Sequence, residues 1–261
     1  MNQLFALLQG ARVFDLAQPY FVGMPHHPAH PPFLFSLVKQ HGDYTGPNGV
    51  SSASDAIAGG THVGTHIDGL CHFSCAGKMF GGVDPEPVQS YAGGLQKYSI
   101  DTIAPILRRG VLLDIAGAQP LPKDREITPD DLDAAVRAQN VEIHAGDIVL
   151  LRTGWATYFE DAAKFIAQVR GPGPGRAGAE WLSRRGVFAA GSDTVAFEKV
   201  PDPAMPVHVH LLVESGIHII ECLNLEELAA ARIYEFLFLA LPLKIRGATA
   251  SPIRPVAVVA G

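Results

Sequence analysis

Residues 59–73 read GGTHVGTHIDGLCHF and bring four potential metal ligands into eleven positions of the chain. They are His62, His66, Asp68 and His72. Imidazole and carboxylate groups are ligands of zinc, manganese and iron. A straight strand would hold the first two histidines roughly 13 Å apart, too far for one ion. The sequence therefore predicts a turn at Gly64, because glycine enters backbone regions closed to other residues.

After this turn, His66 and Asp68 are expected on one short strand, where side chains two residues apart point the same way. The alternative is a glycine-rich loop with surface histidines. The regular offsets of four, two and four residues favour the metal site.

The run from His62 to His72, HVGTHIDGLCH, resembles the HxGTHxDxPxH motif of the putative cyclase family. That family includes bacterial metal-dependent kynurenine formamidases and isatin hydrolases. Leu70 stands where the motif has proline, which changes the turn before His72 but removes no ligand. Residues 247–255, GATASPIRP, are similar to the family's terminal Gly-Ser-Pro-x-Arg-Pro signature. The resemblance extends from about residue 12 to residue 258.

The sequence pattern contains more strands than helices, with the helices interspersed, and this indicates a mixed α/β protein. The family resemblance implies more: the swivelling β/β/α fold, formed by a single domain over residues 1–261. It also implies a homodimer or homotetramer that acts on a small-molecule substrate.

A second segment, residues 206–225, reads PVHVHLLVESGIHIIECLNL. In the family, a histidine three residues before a Leu-Leu pair and a glutamate that ends the next strand complete the site. The resemblance assigns these positions to His208 and Glu221, with His210 as the competing histidine. The candidates lie in apolar sequence, where a free charge is costly and a metal or partner charge offsets that cost.

The same segment allows a different interpretation. His208, His210 and Glu214 match the HxHxxxE core of a cupin, which would make the protein a metal oxygenase or isomerase. The glycines that flank a cupin motif are missing, and a strong helix start at Thr128 does not suit a mainly β fold. A third interpretation is a non-enzymatic binding module in which the ion only holds the structure together.

The resemblance implies a hydrolase in which His62, His66 and Asp68 bind zinc or manganese. The bond cleaved would be a C–N bond in a formamide, an amide or a cyclic amide such as isatin. Lactone hydrolysis and cyclisation are alternatives within the family. His72 is expected outside the primary ligand set, where it moves the proton of an activated water. Glu221 and His208 would hold a second ion bridged by Asp68 or bind the substrate.

Residues 18–33 are rich in proline and contain three histidines, which predicts a loop. In the family this region approaches the substrate, so the resemblance makes Phe21 and Phe33 candidates for apolar pocket walls. Its histidines are not expected to be ligands.

Other segments carry weaker expectations. The pattern predicts helices over residues 100–109 and from Thr128 to about residue 139, where an N-cap threonine precedes proline and two acids. Residues 147–152 and 217–222 are predicted strands, and residues 170–178 a flexible surface loop. His218 is expected to be partly exposed and without a role.

The composition excludes several classes of partner. The chain has 261 residues and a net charge of −6, with scattered lysines and arginines, so neither nucleic acid nor an anionic membrane is expected as a partner. Three cysteines argue against a disulfide framework and indicate a reducing, cytoplasmic compartment. The first residues lack a basic region and a cleavage site, so no signal peptide is predicted.

Overall fold

A mixed sheet of nine strands forms the centre of the protein in the computed structural model, which describes residues 9–261. From one edge to the other, the strands are β1 (Arg12–Asp15), β15 (Val256–Val259), β13 (Glu235–Ala240), β7 (Ile106–Asp114), β9 (Ile148–Arg152), β11 (Ala189–Ser192), β12 (His218–Glu221), β4 (His66–Asp68) and β14 (Ala250–Pro252). Strands β7, β9, β11 and β12 are parallel, and the outer strands are antiparallel to their neighbours. This is the mixed α/β architecture that the sequence predicts.

Short strand pairs and helices surround this sheet. The pairs are β2 (Leu34–Lys39) with β3 (Ser54–Ala58), β5 (Gln89–Ser90) with β6 (Gly94–Leu95), and β8 (Glu126–Ile127) with β10 (Gly173–Pro174). The helices are α1 (Pro129–Gln139), α2 (Ala162–Ile166), α3 (Arg176–Arg184), α4 (Pro206–His208, continued as the π-helix Val209–Ser215) and α5 (Glu226–Ala230). Single turns of 3-10 helix occur at Pro47–Gly49, Phe80–Gly82, Glu86–Val88, Ile100–Thr102 and Trp155–Tyr158.

The central strands bury both of their faces. Successive side chains of a strand point to opposite sides of the sheet, and β9 follows this rule. Val149 and Leu151 belong to the core that includes the helices α1 and α3, whereas Ile148 and Leu150 belong to the core on the other side. Parallel strands that are covered on both faces are expected to be apolar throughout, as the sequence of β9 is.

The predicted helix from Thr128 is confirmed. The side chain of Thr128 accepts a hydrogen bond from the backbone N–H of Asp131, and the Asp131 carboxylate accepts one from the backbone N–H of Thr128. These reciprocal bonds satisfy two donors that a helix start otherwise leaves free.

The predicted helix over residues 100–109 is wrong. Only Ile100–Thr102 is helical, and β7 starts at Ile106 and pairs with β13 and β9. Pro105 lies between the two elements, and a proline in a helix interior removes a hydrogen bond and clashes with the preceding turn.

Residues 170–178 do not form the predicted flexible surface loop. Residues 171–174 are buried, Gly173–Pro174 forms β10, and α3 starts at Arg176. A Cβ atom at Gly173 would lie 2.5 Å from the backbone of Phe197 and Glu198. The glycine therefore permits a close approach of two chain segments, which sequence composition alone does not distinguish from flexibility.

The antiparallel pair β12–β4 brings the two chemically important segments together. Glu221 is opposite His66, and Ile220 is opposite Ile67. On the other side of β4, Ala250 of β14 is opposite Asp68.

Among residues 9–261, no helix combines the length and apolar character needed to cross a membrane. The prediction that the chain begins without a signal peptide falls largely on residues 1–8, outside the described residues.

Candidate metal centre

The chain turns at Gly64, as the sequence predicts. The φ angle of Gly64 is 63°, and a Cβ atom there would lie 2.7 Å from the ring of Tyr20. The hydroxyl of Tyr20 donates to the backbone carbonyls of Val63 and Thr65, which holds the turn in place. The next residues form β4, with His66 and Asp68 side by side on one face. The turn brings His62 back to the same aspartate.

The side chains of four buried residues surround Asp68, which lies near ligand atoms on either side. His62 Nδ1 lies 2.9 Å from Asp68 Oδ1, and His66 Nε2 lies 3.5 Å from the same oxygen. Glu221 Oε2 is 3.4 Å from His66 Nε2. His208 Nε2 is 3.3 Å from Glu221 Oε1 and 4.0 Å from Asp68 Oδ2. Donor atoms around a tetrahedral zinc ion are about 3.3 Å apart, so this spacing suits a bound ion.

Each of the three histidines uses its other ring nitrogen in a hydrogen bond with the protein. The pairs are His62 Nε2 with Thr249 Oγ1 at 2.9 Å, His66 Nδ1 with the Gly64 carbonyl at 2.8 Å, and His208 Nδ1 with Glu198 Oε1 at 2.6 Å. Such bonds fix the orientation and tautomer of metal-binding imidazoles, so that the free nitrogen presents its lone pair. A cluster of surface histidines would not require them.

Three buried atoms of the cluster make no hydrogen bond of good geometry within residues 9–261, and their near polar neighbours are other members of the cluster. They are His66 Nε2 and both carboxylate oxygens of Asp68. Buried polar atoms are rarely left unpaired. Two groups of side chains are close enough to hold an ion, His62 with Asp68 and His72, and His66 with Asp68 and Glu221. The donor set therefore fits a metal ion, and Asp68 is shared by both groups.

The two acids of the cluster are held in their ionised form. Burial alone would raise the pKa of Asp68, but the imidazoles of His72, His62 and His66 hold it well below its usual range. Burial likewise opposes ionisation of Glu221, yet His208 and His66 lower its pKa to about 2. Metal ligands must be deprotonated, and both carboxylates meet that requirement.

The acids also attract positive charge to the cluster. Burial lowers the pKa of His208, but Glu198 and Glu221 outweigh this effect and raise the pKa to about 10. A cation, whether a proton or a metal ion, therefore stabilises this group of buried acids.

His72 lies beside the cluster at the edge of a pocket. Its ring centre is 3.9 Å from that of His62, and a ring nitrogen lies near His62 and Asp68. Burial lowers the pKa of His72 to about 3 despite the nearby Asp68, so the ring is neutral. On the outer side, His30 of the proline-rich loop stacks on His62 with 4.8 Å between ring centres. The structure thus places this loop over the cluster.

The pocket has a volume of 410 Å³. His72, His208 and Glu221 contribute to its polar floor, and most of its wall is apolar. The apolar side chains are Ala29, Phe73, Val169, Val195, Ala196, Val200, Pro201, Pro203 and Met205. The structure does not bring Phe21 and Phe33 into this wall. Phe21 packs edge-on against Phe159, and Phe33 packs against Tyr20.

Three further residues touch the ligand cluster, and sequence patterns give a site role to none of them. Thr249 and Glu198 orient His62 and His208, and His218 donates from Nδ1 to the backbone carbonyl of Asp68 at 2.8 Å. The expectation that His218 is partly exposed is wrong, since only 8% of it is exposed. Thr249 lies within the quoted GATASPIRP run, but no local pattern indicates its partner.

In the HxHxxxE pattern, His210 and Glu214 lie outside the ligand cluster. His210 bonds through Nδ1 with Glu214 at 2.8 Å and through Nε2 with Ser183 at 2.7 Å, and Glu214 forms an ion pair with Arg176. The segment is helical and not a strand, so His208 and His210 point in nearly opposite directions. This placement removes the geometric basis of the cupin alternative.

The nine-stranded sheet and the His/Asp/Glu cluster define a mixed α/β protein with a site suited to a metal ion. The family model described as Putative cyclase matches residues 14–199, and the chain belongs to that family. The chain is 30% identical over 210 residues to an isatin hydrolase of Roseibium aggregatum, across 77% of this chain and 72% of the relative. It is 27% identical over 202 residues to a kynurenine formamidase of Salinibacter ruber, across 75% of each chain.

A solved structure shows the same fold. A crystal structure described as a novel cyclase matches with a TM-score of 0.90 at 30% identity, over 99% of this chain and 90% of that chain. The family resemblance and the swivelling β/β/α fold that it implied are thereby confirmed.

Proposed function

We propose that this chain is a metal-dependent hydrolase that cleaves a C–N bond other than a peptide bond. The observation that carries the proposal is the set of unpartnered donor atoms on His66 and Asp68, surrounded by histidines whose other nitrogens are already bonded. Relatives named isatin hydrolase and kynurenine formamidase support the reaction class.

The residues that would hold the ion are His62, His66 and Asp68. When bound, zinc or manganese lowers the pKa of a water molecule towards neutrality and polarises the carbonyl group that is attacked. The Gly64 carbonyl keeps the proton of His66 on Nδ1, and Thr249 orients the ring of His62. The negative charge of Asp68 makes the site favourable for a divalent cation.

His72 is proposed to move the proton. Its ring lies between the ligand cluster and the pocket, and it is neutral because burial lowers its pKa. A neutral ring nitrogen can accept a proton from water and then return it to the leaving nitrogen of the substrate. The proximity of His72 to His62 and Asp68 also makes a role as ligand testable.

Glu221 and His208 are proposed to complete the site. Both lie within 4.0 Å of the Asp68–His66 pair, and Asp68 has two unpartnered oxygens. Asp68, Glu221 and His208 would hold a second ion, whereas in the other arrangement Glu221 would accept hydrogen bonds from the substrate. The metal content of the active protein distinguishes the two arrangements.

The apolar wall supports a substrate with a ring or a similar apolar body. We propose a formamide, an amide or a cyclic amide. Zinc-loaded and manganese-loaded protein should hydrolyse N-formylkynurenine or isatin, and chelation should abolish this activity. Turnover of lactones alone would contradict the assignment to C–N bonds, and full activity in metal-free protein would contradict metal dependence.

We propose that the protein forms a homodimer or homotetramer. All five residues of β3 and five of the six in β2 are exposed. Their apolar side chains Leu34, Phe35, Leu37 and Ile57 are between 47% and 71% exposed. A two-stranded hairpin has little stability alone, so contact with a second copy would stabilise it. Sedimentation of a monomer at micromolar concentration would contradict this proposal.

We also propose a cytoplasmic location. Cys71, Cys75 and Cys222 are all free, which suits a reducing compartment. Fractionation of producing cells would test the location.

A further inference from the structure

A second cavity lies on the opposite side of the ligand strands from the pocket of His72. It has a volume of 220 Å³, and none of its lining residues lines the pocket over the metal centre. The lining residues are Leu70, Tyr98, Thr102, Ile103, Ala104, Pro105, Ile106, Arg108, Phe188 and His218. A cavity of about 150 Å³ admits benzene, so this one has room for a ring with a small substituent.

His218 gives the cavity a buried polar group. The side chain is nine-tenths buried, and its Nδ1–H donates to the backbone carbonyl of Asp68. No hydrogen bond to Nε2 occurs within residues 9–261 of the structure. The ring edge that faces away from Asp68 therefore has no partner among these residues and borders the cavity.

Arg108 gives the cavity a positive charge at its rim. The guanidinium carbon lies 4.0 Å from the ring centre of Phe188, and that ring centre is 5.3 Å from the ring of His218. One nitrogen of Arg108 donates to the Gly146 carbonyl at 3.3 Å, and no carboxylate pairs with this arginine in the described part of the chain. The remaining donors of the guanidinium are free to bind a carboxylate.

The apolar lining of the cavity suits a ligand whose main part is a hydrocarbon ring. Leu70, Ile103, Ile106 and Phe188 contribute apolar side chains to the lining of the cavity.

We propose that this cavity is a second small-molecule site, which binds a monocarboxylate with a body of about one aromatic ring. The carboxylate lies against Arg108 at the rim, and the ring packs between Leu70 and Phe188. The ligand touches the side chain that holds the backbone of Asp68, so the second site and the metal centre share His218.

Benzoate and benzamide are suitable probes because they have the same shape and differ in charge. Isothermal titration of the zinc-loaded full chain should show benzoate binding at least about tenfold more tightly than benzamide, since hydrogen bonds between two charged groups are stronger than those to a neutral group. Chelated protein should bind benzoate equally well, because Arg108 and not the ion holds the carboxylate. Loss of binding on chelation would show that benzoate binds the ion and would overturn the proposal.

Two variants test the location of binding. Arg108→Gln should weaken benzoate binding by about tenfold, and the control Arg137→Gln, which removes an exposed arginine of α1, should leave it unchanged. Ala104→Trp should block the cavity from its exposed rim and abolish binding. Equal affinity for both probes, or unchanged benzoate binding in Arg108→Gln and Ala104→Trp, would overturn the proposal. Hydrolysis by these variants reports separately on the proposed function, because Arg108 and Ala104 lie outside the metal centre.

Discussion

His208 and His210 are two residues apart in the chain, yet they form two very different pairs with glutamates. His208 lies 3.3 Å from Glu221, and both side chains are more than nine-tenths buried. His210 bonds with Glu214, whose side chain is 42% exposed and also pairs with Arg176. The first pair adjoins Asp68, and the second is a surface ion pair of a common kind.

The difference arises from the local backbone. In a helix, residues two positions apart are rotated by about 200° around the axis, so they face opposite sides. The same spacing in a strand would place both histidines on one side. An HxH pattern therefore means different chemistry in a helix and in a strand, and here only one of its histidines reaches the buried acids.

The sharpest test of this comparison removes one carboxylate from the buried cluster. Asp68→Asn and Glu221→Gln should each reduce hydrolysis to background, because a neutral amide cannot replace the negative charge that the cation requires. Steady-state kinetics together with elemental analysis would measure turnover and bound metal. Activity in Asp68→Asn comparable to that of the parent would contradict the proposed site.

The next largest effect is expected for His72, which is proposed to move the proton of the attacking water. His72→Ala should lower kcat by about 10²–10⁴-fold while the metal content stays unchanged, because general acid–base groups contribute about that much. His72→Gln, which keeps a polar side chain of similar length, serves as the matched variant and should be equally slow. Loss of the metal at unchanged stability would instead make His72 a ligand.

A third test contrasts the buried Asp68 with a buried carboxylate that lacks imidazole neighbours. Asp193 accepts hydrogen bonds from the backbone and hydroxyl of Thr153, its other oxygen is unpartnered, and burial raises its pKa to about 6. A raised acid pKa means that the folded state keeps the proton. The stability that this proton contributes to the folded state is complete below the pKa that Asp193 has in the unfolded chain. It is lost as the pH rises through about 6.

Asp193→Asn should remove this loss of stability at higher pH, because an amide does not ionise. The free energy of unfolding of Asp193→Asn minus that of the parent should be larger at pH 7.5 than at pH 4.5, by about 2 kcal/mol. Urea unfolding of both proteins at the two pH values would measure the difference. A difference that does not change with pH would show that Asp193 is ionised throughout.

The smallest effect is expected in the exposed pair. Glu214→Gln should leave hydrolysis within a few-fold of the parent and change stability by about 0.5 kcal/mol or less, because exposed ion pairs contribute little. The comparison with Glu221→Gln uses the same chemical change seven residues further along the chain. If the Glu214 variant is inactive and the Glu221 variant active, the roles of the two pairs are reversed.

The sequence by itself determined the parts of the protein that depend on near neighbours in the chain. The turn at Gly64, the short strand His66–Asp68 and the capped helix from Thr128 were all predicted, because φ, side-chain alternation and helix caps are local properties. The ligand types of the metal site followed from the same stretch. Pro105 is also a local signal against a helix over residues 100–109, where the structure has β7 from Ile106.

Tertiary structure alone decided which distant groups meet these residues. Thr249 bonds with His62 across 187 positions of the chain, and Glu198 bonds with His208 across 10 positions. The pocket wall is formed by Phe73 and Val195, whereas Phe21 is packed elsewhere. Such contacts depend on strand order and register, which arise from the burial of the whole sheet, and no local pattern of residues specifies them.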